Sequence, residues 1–384
     1  MSGYLLSEEE LLLKNTVRDF ADNELVPNAA ALDESQEFPW DNFRKLADLG
    51  MLGLGIDEEY GGSGGATRQI VVVGEEIARG CAATATTCLA HLCLCAHFIQ
   101  MYGTEGQKRQ FLPGLATGKK VGAFALTEPG AGSDVANMQT TSKRSNGSYV
   151  LNGTKTFITN APEADVFVVM ATQDRSLRNR GIDALIVEGD TQGITVNPIK
   201  GKMGIRASSI AEVVFDNAAV PEENRMGEEG EGFRLTMQVL NASRIAIATL
   251  CVGIAQAAYE SAVNYAKQRE IFGQHVADFQ GIQWMIADMA TQLDAARLLT
   301  MRSATLLDEG QPFIKEASMA KLYASRAAVE LSDKAVQIHG GVGYLAPTTA
   351  ERLYRDAKVT EIYEGTSEVQ RLIIARQILQ ADIL

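Results

Sequence analysis

Short β-rich runs fill only the middle of this 384-residue chain, and long helical patterns flank them on both sides. Any fold must keep that order. From Glu8 to about residue 118, apolar residues recur every three or four positions, as in Leu11, Leu12, Val17, Phe20 and Ala21, then Phe43, Leu46, Leu49 and Leu52. Between about 119 and 230 the runs are Val121 to Leu126, Tyr149 to Leu151, Thr156 to Thr159, Val166 to Met170, Ala184 to Val187 and Glu212 to Phe215. Asn146-Gly147 and Asn152-Gly153 sit between such runs and predict hairpin turns. After Gly232 the spacing predicts long helices over Phe233 to Gln268, Phe279 to Asp308 and Ile314 to His339. The implied class is α+β: a helical domain over 1–118, an antiparallel barrel or sandwich over 119–230, and a helical bundle over 231–384.

Charge and apolar content narrow the function classes. Thirty-five Lys plus Arg against 48 Asp plus Glu leave a formal net charge of -13, which argues against a general nucleic-acid or anionic-membrane binder. MSGYLLSEEELLLK has no basic n-region, and the apolar stretch Ile245 to Tyr259 reads as too short for a span, so the expectation is a cytoplasmic chain without membrane insertion. Five cysteines, mostly in one apolar segment, fit reduced core thiols. His91-Leu-Cys93-Leu-Cys95-Ala-His97 resembles a metal-ligand string, but its surroundings read as a buried helix, on which alternating side chains fan apart; no metal is expected. His91 reads as a core or rim histidine. Tyr60-Gly-Gly-Ser-Gly-Gly-Ala66 lacks the ending of a phosphate-binding loop, and Gly341-Val-Gly343-Tyr-Leu-Ala346 lacks the preceding strand that a dinucleotide fingerprint requires.

Near the C-terminus, EIYEGTSEVQ spaces Glu361, Glu364 and Glu368 at three and four residues. On one continuous helix they would form a solvated, mutually repelling face. Gly365 interrupts that helix, Ser367 with Gln370 suggests a capping box, and Thr348 with Glu351 suggests another upstream. Glu364 then lies in a turn between two helices, where an apolar cleft would raise its pKa and suit it to proton transfer. Phe124-Ala-Leu-Thr-Glu-Pro-Gly-Ala-Gly-Ser-Asp134 and Phe157-Ile-Thr-Asn160 are candidate polar-ligand segments, each readable alone as an ordinary strand and turn.

Together with LTEPGAGSD (126–134), NGTKTFITN (152–160), QREIFGQ (268–274), DFQGIQ (278–283), QIHGGVGY (337–344) and RDAKVTEIYEGTSEVQ (355–370), the chain resembles the acyl-CoA dehydrogenase family over essentially its whole length. The resemblance implies the acyl-CoA dehydrogenase-like fold and FAD held between the β domain and the C-terminal helices. It implies that Phe124, Leu126, Thr127, Gly132 and Ser133 contact the flavin or flank the thioester, that Phe157 packs on the ring system, and that Thr159 and Thr366 contact FAD. It also implies that Arg269, Phe272, Gln280, Gln337 and Gly341 hold pyrophosphate and adenosine across a subunit interface. Read alone, Arg269 is equally a cation at a helix C-terminus.

By the same resemblance Glu364 matches the family's catalytic base, taking the α-proton of an acyl-CoA while the β-hydrogen leaves as hydride to flavin N5. Its backbone N–H would help stabilise the thioester oxyanion, with Gly365 shaping the turn. Some relatives carry the base on the long helix, at the position of Ser243 here. Arg244, Tyr363, Ser133 and Arg376 match substrate contacts, and Asn241 stands where many members have Asp. Ala90, His91, Leu94 and Cys95 would line the end of the acyl pocket. Implied partners are an acyl-CoA, linear, branched or cyclic, and an electron-transfer flavoprotein; the implied assembly is a homotetramer built as a dimer of dimers. Competing readings are a flavin-dependent enoyl-CoA reductase, a C–S lyase that would lack the carboxylate, and a nucleic-acid-binding relative without catalysis.

Overall fold

The structure, a computed structural model, describes residues 6–380. Seven helices precede the strands: α1 (Glu8–Phe20), α2 (Val26–Ser35), α3 (Trp40–Asp48), α4 (Thr67–Gly80), α5 (Ala82–Leu89), α6 (His97–Tyr102) and α7 (Glu105–Ala116). Helix α1 opens on a capping box in which the Ser7 hydroxyl accepts from the Glu10 N–H and the Glu10 carboxylate accepts from the Ser7 N–H. A π-helical segment, Ala90–Ala96, joins α5 to α6. The resulting rod from Ala82 to Tyr102 is nearly all buried.

Eight strands follow: β1 (Gly122–Ala125), β2 (Thr141–Ser145), β3 (Ser148–Thr159), β4 (Val166–Thr172), β5 (Ile182–Glu188), β6 (Ile194–Pro198), β7 (Ile210–Pro221) and β8 (Arg225–Met226). Their order is β6-β7-β3-β2-β4-β5-β8, with β1 on β4. Pairing is mostly antiparallel, as expected; the exceptions are β1, which runs parallel to β4, and a single parallel pairing of β2 with β4. Phe167, Val169 and Ala171 of β4 pack into a core shared with Tyr149, Leu151, Val213 and Phe215, while Val166, Val168 and Met170 face the helical core. Burial on both faces explains why this strand reads as a continuous apolar run.

Asn146-Gly147 turns β2 into β3, with both residues at positive φ. Asn152-Gly153 does not turn the chain. It lies inside the single strand β3 at a register shift against β7, and a Cβ on Gly153 would sit 2.6 Å from the Thr140 Cα, so the glycine marks a bulge crossed closely by another segment. Strand β6 carries no run singled out above.

The long helices are α8 (Gly232–Gln268), α9 (Gln280–Asp308) and α10 (Ile314–His339), followed by α11 (Thr349–Lys358) and α12 (Ser367–Leu379); a small hairpin of β9 (Glu270–Ile271) and β10 (Gln274–His275) separates α8 from α9. Two helical stretches, Ala82–Tyr102 and Gly232–Gln268, are long and apolar enough to cross a membrane by length and composition, which corrects the reading of the second as too short. Their most apolar windows are 83% and 72% buried inside the protein, as core helices are. All five cysteines are free and buried.

Candidate active site

Glu364 occupies a left-handed backbone conformation, φ +50°, and Gly365 follows at φ +93°. Two consecutive residues of that kind end α11's trailing turn abruptly and let α12 start in a new direction. A glutamate there is strained, and such strain persists only where the surroundings hold it. They do so from three sides. The Ser243 hydroxyl on α8 donates to Glu364 Oε2 at 2.5 Å. The buried Lys321 ammonium on α10 donates to the Gly365 carbonyl at 2.8 Å. The fully buried Gln370 amide on α12 donates to the Gly365 and Glu364 carbonyls at 2.9 and 3.3 Å.

The three carboxylates of the EIYEGTSEVQ stretch are therefore inequivalent. Glu361 pairs with Lys358 at 2.6 Å, and Glu368 is exposed in the first turn of α12. Glu364 faces the cleft, where burial raises its pKa to about 7; the Ser243 hydrogen bond and the charges of Lys321 and Arg244 pull in the opposite direction. Its backbone N–H finds no acceptor among the described residues. The α12 cap is Thr366, whose hydroxyl accepts from the Val369 N–H at 3.4 Å; Ser367 is already helical, so the expected Ser367–Gln370 box does not form, and Gln370 braces the turn instead. Thr348 likewise precedes α11 without a side-chain cap, and the Glu351 carboxylate, which a capping box would turn back to the Thr348 N–H, is bonded to Arg355 instead.

The neighbouring walls come from segments far apart in sequence. Arg244 is buried beside Ser243 and donates to Asn241 Oδ1 at 2.5 Å, so the amide at position 241 orients the guanidinium; the Arg244 Nε has no partner among the described residues. The Tyr363 hydroxyl is also buried, without a hydrogen-bond partner among the described residues. At the end of β3, Asn160 donates to the Thr87 and Gly122 carbonyls, fastening that strand end to α5 and β1. The Thr156 N–H donates to the Thr127 carbonyl, and Lys155 donates to the Leu126 carbonyl while pairing with Glu128 at 2.8 Å, both side chains buried. These bonds place Phe124, Leu126, Thr127, Phe157 and Thr159 together at one strand end. Phe157 is 63% exposed at φ +57°, an apolar ring held outward.

Gly132 and Ser133 lie on the exposed loop beyond Thr127, and a Cβ on Gly132 would meet nothing within 4 Å. Arg269, Phe272, Gln280, Gln337 and Gly341 group elsewhere, around the C-terminal ends of α8 and α10 and the start of α9. His339 stacks on Tyr265 with centroids 4.2 Å apart and lies 3.3 Å from the Ser261 hydroxyl, joining the two helix ends. Arg269 is exposed with no side-chain partner among the described residues; Phe272 is 94% exposed at φ +50°, and a Cβ on Gly341 would enter open space. Along α8, Ser243 and Arg269 are separated by 26 residues, about 39 Å. Arg376 is exposed about 15 Å along α12 from Thr366, outside the Glu364 cluster.

The pocket-end expectation is corrected in part. His91 is fully buried, accepting from the Gly122 N–H at 2.9 Å and lying 3.1 Å from the Leu115 carbonyl, and the Cys95 thiol reaches the Val166 carbonyl. Both point into the protein and hold α5–α6 to β1 and β4, which leaves Ala90 and Leu94 as the partly exposed positions. Among the described residues no cluster of three or more His, Cys, Asp or Glu could hold a metal ion. Sequence reasoning missed Lys321 and the inward role of Gln370. A lysine inside the small-residue run Ala317 to Ala328 was the available signal.

Three models of the acyl-CoA dehydrogenase family match in order: the N-terminal domain over residues 7–119, the middle domain over 123–218 and the C-terminal domain over 230–379. The short-chain specific acyl-CoA dehydrogenase of Clostridium acetobutylicum is 44% identical over 375 residues, 98% of this chain and 99% of that protein. The butyryl-CoA dehydrogenase of Megasphaera elsdenii superposes with a TM-score of 0.95 at 41% identity, covering 98% and 99% of the two chains. A chain in the solved structure of the electron transferring flavoprotein of Acidaminococcus fermentans superposes at 0.96 with 42% identity over 98% of this chain and 99% of that one. With all three domain models in register and this level of identity over nearly the full length, the chain belongs to the acyl-CoA dehydrogenase family.

Proposed function

We propose that the protein is an FAD-dependent acyl-CoA dehydrogenase that desaturates a short acyl-CoA between Cα and Cβ, with Glu364 as the base. The observation that carries the reading is the Glu364 carboxyl itself: strained backbone, cleft-facing, braced by Ser243, with a pKa raised to about 7 by burial. A base poised near neutrality combines a usable ionised fraction with the strength to remove a weakly acidic proton.

FAD fits the residues present. The outward Phe157 ring offers a stacking surface, Gly132 and Gly341 leave room for close approach, and the unpaired Arg269 suits a phosphate. When bound, FAD supplies the two-electron acceptor for the β-hydrogen. The chain's own tasks are to hold the thioester against Tyr363 and Arg244, to receive the α-proton on a Glu364 oxygen, and to offer the free Glu364 N–H to the developing carbonyl charge. The short acyl group is inferred from the short-chain relatives.

Arg269 lies about 39 Å along α8 from Ser243, which braces the base, and this remoteness supports a site completed by a second copy, with Arg269, Phe272, Gln280, Gln337 and Gly341 serving the neighbour's FAD; the assembly we infer is a dimer of dimers. An electron-transfer flavoprotein is the inferred acceptor. The three segments 1–118, 119–230 and 231–384 are proposed as its domains.

The test is anaerobic single-turnover bleaching of the flavin by butyryl-CoA in Glu364→Gln, with Glu361→Gln and Glu368→Gln as controls. Loss of about 10²- to 10⁴-fold confined to Glu364→Gln is expected, with substrate still perturbing the flavin spectrum. Equal rates in all three variants would remove Glu364 from the chemistry.

A further inference from the structure

Ser243 makes the one hydrogen bond to the Glu364 carboxylate found among the described residues, although two cations and two further titratable groups stand near it. On α8, Arg244 turns its guanidinium to Asn241; on α10, Lys321 spends its bond on the Gly365 carbonyl. On the π-helical segment the buried Cys93 thiol feels the Glu364 charge, as does the neighbouring Tyr363 hydroxyl, and neither is bonded to the carboxylate.

We propose that Ser243 is a positioning residue for the base, its hydroxyl holding the Glu364 carboxylate ionised and aimed into the cleft. The proposal rests on Glu364 being the base and deepens that reading. A hydroxyl has one proton to give. Ser243 has two acceptors in reach, the carboxylate at 2.5 Å and the Leu240 carbonyl at 3.3 Å, and the charged, nearer one takes it. Ser243 is itself buried in the middle of α8, so its Oγ is a fixed point against which the strained Glu364 residue is oriented.

The choice of a neutral donor matters chemically. A direct ion pair with Arg244 or Lys321 would stabilise the carboxylate so far that it became a poor base. One hydroxyl bond offsets part of the desolvation and leaves the carboxyl titrating near neutrality.

The experiment uses the FAD-loaded enzyme and compares Ser243→Ala, Ser243→Cys and Ser243→Thr with the parent and Glu364→Gln. Single-turnover bleaching is followed from about pH 5 to pH 9, alongside an infrared titration of the protonated carboxyl band that disappears in Glu364→Gln. In Ser243→Ala the acid limb and the infrared midpoint should both move up by about one pH unit, and the high-pH plateau should fall by about threefold to tenfold as the carboxylate loses its aim. Ser243→Thr should restore both. Ser243→Cys, which keeps the shape with a weaker donor, should fall between and serves if the alanine variant folds poorly. An unmoved limb and an unmoved band in the alanine or cysteine variant would overturn the proposal while leaving Glu364 as the base. Undiminished bleaching in Glu364→Gln would overturn both.

Discussion

Lys321 and Gly365 are joined by a 2.8 Å bond between a fully buried ammonium and the carbonyl that immediately follows the base. Burial holds the Lys321 pKa below its ordinary value, and the nearby Cys251, Glu364 and Glu361 oppose that shift. The lysine thus anchors the turn and lends positive charge to Glu364. Lys321→Met keeps the length and removes both effects. Because the desolvation penalty disappears with the charge, global stability should change by no more than about 1–2 kcal/mol in urea titrations. Flavin reduction near neutral pH should fall at least about tenfold, through a less ionised and less well-held Glu364. A large loss of stability with normal reduction would make Lys321 a core residue only.

Gly365→Ala tests the turn itself. At φ +93° any Cβ is strained, and this one would lie 2.6 Å from the Gln370 amide nitrogen. That amide cannot simply swing away, because it is bonded to the Gly365 and Glu364 carbonyls. The expected cost is about 1–3 kcal/mol, concentrated at the turn. Reduction should slow at least about tenfold while far-ultraviolet circular dichroism is unchanged; an unaffected rate would show that the turn tolerates displacement.

The helix-strand-helix order was legible because periodicity records burial directly: α8, α9 and α10 fall within a residue of their expected ends. Asn152-Gly153 misled because Asn-Gly encodes a positive-φ preference without saying whether a turn or a bulge will use it. Glu364 could be placed in a turn from Gly365 alone. Its own left-handed backbone could not, nor could those of Phe157 and Phe272, since each is imposed by contacts remote in sequence. Lys321 stayed hidden for a related reason: the small residues around it hint at burial, but its partner is a backbone carbonyl 44 residues away, which no side-chain pattern indicates.

A buried ion pair supports the strand end on which Phe157 and Thr159 stand. Lys155 and Glu128 are both almost fully buried, and the Glu128 carboxylate also accepts from the Gln139 and Thr140 N–H groups. Burial depresses the Lys155 pKa to about 8 despite its partner. Lys155→Met would leave a buried carboxylate without its cation and should destabilise by about 3–5 kcal/mol; adding Glu128→Gln should recover part of that loss. Denaturant titration of the three variants measures it. FAD retention on gel filtration should follow the same order, because the pair also fixes the Leu126 carbonyl beside the proposed flavin contacts.

His91 predicts how stability responds to acid. Its Nδ1 accepts from the Gly122 N–H, so the ring proton sits on Nε2, facing the Leu115 carbonyl at 3.1 Å. Protonating Nδ1 would set two N–H groups against each other inside the core, and burial accordingly lowers the pKa from 6.5 to about 4. In the unfolded chain the imidazole takes its proton near 6.5, so between about 6.5 and 4 the unfolded state binds more protons than the folded one. The contribution is fully present above 6.5 and is lost as pH falls through that window. By the lower end the loss amounts to about 3 kcal/mol. Urea midpoints should therefore decline steeply from pH 7 towards about pH 4. His91→Gln, which can keep an acceptor for Gly122 and a donor for Leu115, should be less stable at pH 7 yet show a flatter decline across the same range. A slope equal to that of the parent protein would show that His91 does not govern the acid response.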